Sequence, residues 1–281
     1  MTVAVTGASG QLGRLVIEAL LREGEQPIAV VRDAAKVADL AERGVEIREA
    51  SYDDPAALDR ALAGVDRVLL VSGNEFGKRV AQHTNVIRAA ERAGVELLAY
   101  ASIPGVETNP LILAQEHRGT EEVLNEATVP NVRLRNSWYW ENYTGGLAHA
   151  VESGVQYGAA GAGRVAGAAR ADYADAAAKV LTTDGHAGKI YELGGEALTY
   201  AELAQAISEA AGTPVRYQDL PQADYAAALE QAGLDANYAA VLADADAGIA
   251  EGVLDVRSKD LENLLGRPAT PAVEVFRAAL A

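Results

Sequence analysis

Along the first two-thirds of the chain, short runs of β-branched residues alternate with segments whose apolar positions recur every three or four residues. VAVT (3–6) reads as a buried strand. The segment 11–23 reads as a helix with Leu12, Val16, Ala19 and Leu20 on one face and Gly24 at its stop. IAVVR (28–32) is a second strand, and a helix over 34–43 follows with Asp33 as its N-cap. The alternation continues through strand VEIRE (45–49), a helix over 54–63 announced by Asp54 and Pro55, and strand RVLLV (67–71). A helix over 78–93 closed by Gly94, strand VELLAYA (95–101), a helix over 114–127 and strand VRLR (132–135) complete the series. Strands separated by whole helices pair in parallel through right-handed crossovers. The predicted fold is α/β, a doubly wound parallel sheet of Rossmann type, whose ligands bind beyond the carboxyl ends of the strands.

The last third breaks this rhythm. It has an Ala-rich helix starting at Tyr173 with Asp172 as its cap, and strand KIYEL (189–193). A helix opened by the capping box of Thr199 and Glu202, a strand VRYQDL (215–220) and the Pro-punctuated tail GRPATP (266–271) follow. We expect a dinucleotide-binding domain over 1–135, joined by 170–194. Most of 136–281 then forms a smaller α/β lobe that covers the sheet's carboxyl edge and binds substrate.

Composition narrows the class. The 281 residues carry a net charge of −16, which repels nucleic acid and anionic membranes. There is no cysteine, and the four histidines have no metal-ligand spacing, so thiolate and histidine metal sites are not expected. No apolar run approaches the about 20 residues that span a bilayer. The chain enters a strand at Thr2 without a basic leader, so a cytoplasmic location is expected.

The chemistry starts at TGASGQLG (6–13), where Gly7, Gly10 and Gly13 follow the first strand and open the first helix. Gly7 permits the tight turn, Gly10 admits a pyrophosphate to the backbone, and Gly13 lets the helix lie close to the sheet. The N–H groups around Ser9, Gln11 and Leu12 then face the phosphates. Arg32, at the end of the second strand, suits a ribose 2′-phosphate and points to NADPH. Tyr52 and Asp53 after the third strand are candidates for the adenine side. Ser72 and Gly73 after the fourth strand and Ser102 after the fifth complete the expected cofactor rim.

None of the eleven tyrosines has Lys four residues later, so the proton-donating pair of short-chain dehydrogenases is absent. That favours an acceptor, such as a quinone, whose reduced anion takes its proton from solvent. LRNSWYWENY (134–143) holds both tryptophans and leaves the sixth strand at the carboxyl edge. Trp138, Tyr139 and Tyr143 are candidates for an aromatic wall against a flat acceptor, with Phe76 closing the other side. Asn136 and Asn142 are candidates for the carboxamide or an acceptor carbonyl, whereas Trp140 reads as core. His117 is either a catalytic group or a helix-surface histidine beside Glu121 at i+4; His83 and Asn85 read as structural.

Together with QHTNVIRAAERAGV (82–95), RADYADAAAKVL (170–181) and SKDLENLLGRPATP (258–271), these stretches resemble the NmrA-like group of atypical short-chain dehydrogenases. They are especially similar to type 2 NAD(P)H:quinone oxidoreductases and triphenylmethane reductases. The resemblance covers nearly the whole chain. It implies a flavin-independent, NADPH-dependent reductase of quinones or dyes, acting as a homodimer, with no need of the Tyr-Lys pair. It implies cofactor roles for Gly7, Gly10, Gln11, Leu12, Gly13 and Arg32. The same group contains redox sensors that bind the dinucleotide without turnover, which is the rival expectation.

Overall fold

The computed structural model describes residues 1–281. Its main sheet has seven strands. They are β1 (Val3–Thr6), β2 (Ile28–Val31), β3 (Glu46–Glu49), β4 (Arg67–Leu70), β5 (Leu97–Ser102), β6 (Asn131–Asn136) and, far along the chain, β9 (Ile190–Leu193). Their spatial order is β3-β2-β1-β4-β5-β6-β9. The first six pair in parallel. Arg133 and Ser137 donate their N–H groups to Lys189 and Leu193, so β9 runs in the same direction beside β6. The order reverses between β1 and β4, the switch point at which doubly wound sheets take their ligands.

The crossover helices are α1 (Gln11–Arg22), α2 (Ala38–Glu42), α3 (Pro55–Ala61), α4 (Arg79–Ala93) and α5 (Ile112–Glu126). The helix expected over 34–43 is instead a 3-10 turn, Ala34–Val37, followed by the five-residue α2. Asp33 still caps it, accepting from the Ala35 N–H at 3.0 Å. Strands β1, β2, β4 and β5 are buried along their whole length, as a sheet covered on both faces requires. Their side chains join Leu58, Leu62, Val86, Ile87 and Leu124 in one apolar core.

The remaining elements are α6 (Leu147–Ser153), β7 (Val155–Gly158), β8 (Arg164–Ala166), α7 (Arg170–Thr182), β10 (Ala197–Thr199), α8 (Tyr200–Ala211) and β11 (Arg216–Asp219). Helices α9 (Gln222–Gln231), α10 (Ala236–Ala250), α11 (Asp260–Leu265) and α12 (Ala272–Leu280) end the chain. Two small sheets form here, β11 parallel to β7 and β10 antiparallel to β8. Thr199 and Glu202 make the expected capping box of α8. Asp172 does not cap α7: the helix begins two residues earlier, at Arg170. Asp172 is therefore a buried acid in the first turn, where the helix dipole favours a negative charge.

The chain divides into two compact units. The first comprises Met1–Ile103, Glu116–Arg135 and Arg170–Tyr191; the second comprises Pro104–Gln115, Asn136–Ala169 and Glu192–Ala281. No helix is long and apolar enough to cross a membrane.

Candidate active site

In the first unit the glycine turn has the tight geometry its spacing requires. Gly7 has φ +60°, and the Gly10 N–H closes the turn onto the Gly7 carbonyl at 2.9 Å. A methyl group on Gly13 would lie 2.5 Å from that carbonyl oxygen and 2.9 Å from the Ala8 Cα, so only glycine lets α1 start this close to β1. Helix α1 has no side-chain cap, which leaves its first-turn N–H groups for an anion. Ser9 and Gln11 are exposed here, and Leu12 is buried beneath them. These features fit a dinucleotide diphosphate.

Tyr52 reaches under this turn. Its hydroxyl donates to the Val71 carbonyl at 2.9 Å and lies 2.5 Å from the Thr6 hydroxyl. Desolvation pushes the phenol well above its ordinary pKa, so it stays protonated and holds the ends of β1 and β4 together. Asp53 accepts from the Gln82 amide at 3.1 and 3.3 Å. Arg32 is exposed and donates to Glu75 at 2.9 Å.

The loop after β4 is pinned by α4 and α5. The Thr120 hydroxyl donates to the Glu116 carbonyl at 2.9 Å, so its oxygen accepts from His83 Nδ1 at 3.0 Å. His83 Nε2 is then free to accept from the Gly73 N–H at 2.9 Å. Burial, aided by Arg79, pushes His83 down to about 3, which keeps it in this neutral form. Arg79 Nε donates to the Gly73 carbonyl at 2.7 Å, and Glu116 accepts from the Gly77 N–H at 2.9 Å. Asn85 donates to the Tyr52 carbonyl at 2.9 Å, the structural role expected of it. Phe76 is half exposed, with the Arg79 guanidinium 5.5 Å from its ring centroid.

His117 is not the surface residue that its spacing from Glu121 allows. It is buried, with Nδ1 2.7 Å from the Tyr100 hydroxyl. Burial first, then Arg79 and His83, holds its imidazole well below the usual range. Glu121 turns instead to Arg135 on β6, accepting from its guanidinium at 3.0 and 2.6 Å. The Ser102 hydroxyl donates to the same carboxylate at 2.6 Å, so that proton is committed within the fold.

In the second unit, Tyr139 bridges to Ala168, which donates to the Trp138 carbonyl and accepts from the Trp140 N–H, and a 3-10 turn starts at Trp140. Trp138 is buried and Tyr139 is half-buried. Trp140 is core, as expected, and its ring sits where a side chain on Gly167 would be, 2.5 Å from that notional Cβ. Tyr143 is held by Tyr200. Its ring packs edge-on to Tyr200, 5.6 Å between centroids, and its hydroxyl donates to the Tyr200 hydroxyl at 3.0 Å. Tyr200 in turn donates to Asp246, whose other oxygen accepts from the Ala159 N–H at 2.8 Å. Burial pushes Asp246 up to about 6, against the pull of those two donors.

What remains of the segment is a polar pair. Asn136 is buried and donates to the Tyr139 hydroxyl at 3.2 Å, while its Oδ1 has no partner. The buried Ser137 hydroxyl next to it also lacks one. Leaving such atoms unsatisfied costs roughly 1–3 kcal/mol each, which a ligand's donors would recover. Asn142 is half-buried, its N–H on the Tyr139 carbonyl at 3.0 Å. Sequence reasoning missed Ser137, Arg79 and Glu75. Arg79 had a signal: with Lys78 it places cations at the positive end of α4, against the helix dipole.

Comparison with known proteins places this geometry among relatives of stated activity. Quinone oxidoreductase 2 of Escherichia coli (strain K12) is 47% identical over 275 residues, covering 97% of this chain and 96% of that protein. The crystal structure of the E. coli NADPH-dependent quinone oxidoreductase complexed with NADPH superposes with a TM-score of 0.95 at 46% identity, covering 99% of this chain and all of that one. The Citrobacter sp. triphenylmethane reductase complexed with NADP(H) gives a TM-score of 0.94 at 37% identity, with 99% of both chains covered. The model of the NmrA-like family matches residues 1–255. With that match and near-full-length identity to a relative, the chain belongs to the NmrA-like family.

Proposed function

We propose that the protein is an NADPH-dependent reductase that passes hydride directly to a quinone or a similar planar conjugated acceptor. The observation that carries this reading is the uncapped start of α1 behind the glycine turn, with Gly13 packed too close to that turn for any side chain and Arg32 just after β2. The 47% identity to a quinone oxidoreductase over nearly the full chain supports turnover rather than sensing.

NADPH supplies the hydride from its nicotinamide C4, so the chain needs no flavin. The N–H groups of residues 10–13 hold the diphosphate, and the Arg32 guanidinium takes the 2′-phosphate. The Oδ1 of Asn136 accepts from the carboxamide or orients the acceptor, with Tyr139 held by the same amide. Asn142 and Trp138 shape the surroundings of that pair. His117 acts as a neutral group that positions Tyr100, since burial prevents it from storing a proton near pH 7. The proton of the hydroquinone comes from solvent. A homodimer, carried by the family resemblance alone, and a cytoplasmic location are part of this reading.

Loss of the nicotinamide absorbance with simple quinones and triphenylmethane dyes tests the activity. Turnover with several acceptors is expected; cofactor binding without any turnover would sink the enzyme reading in favour of the sensor. Arg32→Ala should weaken NADPH by about ten- to a hundredfold while sparing NADH, as expected for loss of one charge-assisted contact.

A further inference from the structure

Arg32 does not stand alone at the ribose end of the site. Its Nη1 donates to Glu75 Oε1 at 2.9 Å, and Lys78 Nζ lies 3.3 Å from Oε2 of the same carboxylate. Glu75 belongs to a loop fixed on both sides. Gly73 is gripped by His83 and Arg79, and Gly77 by Glu116. The carboxylate is therefore presented to Arg32 by an anchored support. The Arg32 side chain is 63% exposed, open to a ligand, while that of Glu75 is 33% exposed. Lys78 first, then Gln82, with Arg32 adding, holds the Glu75 carboxyl below its usual range, so it is ionised at neutral pH.

A guanidinium offers carboxylate and phosphate the same fork of N–H donors. A 2′-phosphate arriving at Arg32 must share or displace Glu75, and the two anions repel at that distance. NADH brings no phosphate and meets no such contest.

We propose that Glu75 is a specificity-determining residue. Its carboxylate competes with the NADPH 2′-phosphate for Arg32 and so narrows the preference for NADPH over NADH. This inference rests on the reading of Arg32 as the 2′-phosphate ligand.

Calorimetric titration of the full-length protein with NADPH and with NADH, for the wild type, Glu75→Gln, Arg32→Ala and the double variant, tests both layers. Glu75→Gln should tighten NADPH about three- to fivefold, the size of an exposed ion pair. NADH affinity should change by less than about twofold, and it doubles as a control for folding. In the Arg32→Ala background the NADPH gain should fall by at least half. If Arg32→Ala leaves the ratio of the two affinities unchanged, the reading of Arg32 fails and this inference with it. If Arg32→Ala lowers that ratio but Glu75→Gln leaves it unchanged or weakens NADPH, the inference about Glu75 alone is overturned.

Discussion

The two units bury polar groups by opposite means. In the first, Glu121 and Arg135 face each other as ions with side chains 7% and 4% exposed, and the histidines around them are kept neutral. In the second, Asp246 meets only neutral donors among its recorded hydrogen bonds, the Tyr200 hydroxyl and the Ala159 N–H. Between one phenol and one backbone N–H, burial keeps the proton on Asp246 up to about pH 6. The difference shows that burial alone does not decide the charge of a group. The nearest partner does.

The largest effect should come from breaking the ion pair. Arg135→Met strands a buried carboxylate and should cost about 3–5 kcal/mol in urea titrations followed by circular dichroism. Adding Glu121→Gln should recover more than half. A double variant as unstable as the single one would mean that pairing is not what lets the first unit bury charge. The next effect is in the pH dependence. Asp246 has a raised native pKa, so its stabilising contribution is complete below about pH 4. That contribution is lost as pH rises to about 6, a difference of about 3 kcal/mol. Asp246→Asn should therefore gain on the wild type by that amount between pH 4 and 6.5. The first unit should respond with the opposite slope. His83, with its lowered pKa, stabilises fully above about pH 6.5 and loses that contribution as acid protonates the unfolded chain. His83→Gln should gain on the wild type as pH falls over the same range. Parallel slopes for the two variants would erase the contrast. The smallest effect separates the roles of two glycines. Gly13→Ala and Gly167→Ala both force a methyl into atoms 2.5 Å away and should each cost about 1–3 kcal/mol of stability. Only Gly13→Ala should also weaken NADPH, by at least about tenfold, in a fluorescence titration.

What was legible in the sequence was local. The strand VAVT, the spacing of Gly7, Gly10 and Gly13, and the caps at Asp33, Asp54 and Thr199 each depend on neighbours within a few positions. The lapses came where a distant residue outcompeted a near one. Glu121 lies one turn from His117, yet Arg135 on another strand takes it, because two charge-assisted bonds outweigh a solvent-exposed helix pair. Tyr143 was grouped with Tyr139 by proximity, but its hydroxyl is claimed by Tyr200, 57 positions away. Tyr52 fell into the same class, since its phenol props the glycine turn from beneath. The small strands β7, β8 and β10, three or four residues each, are too short to leave an alternating pattern.

The discontinuity of the first unit has a consequence for how the chain is made. The helix α7 that lies along α1, and the start of β9, are drawn from residues 170–191, after a long excursion into the second unit. Arg22 and Glu23, at the end of α1, wait for Asp175 and Thr182. A nascent polypeptide emerging from the ribosome thus exposes an unfinished sheet margin at β6 until some fifty further residues have been synthesised. Any product terminated before residue 170 would possess Gly7, Gly10 and Gly13 and still lack the helix packed along α1 that keeps them in place.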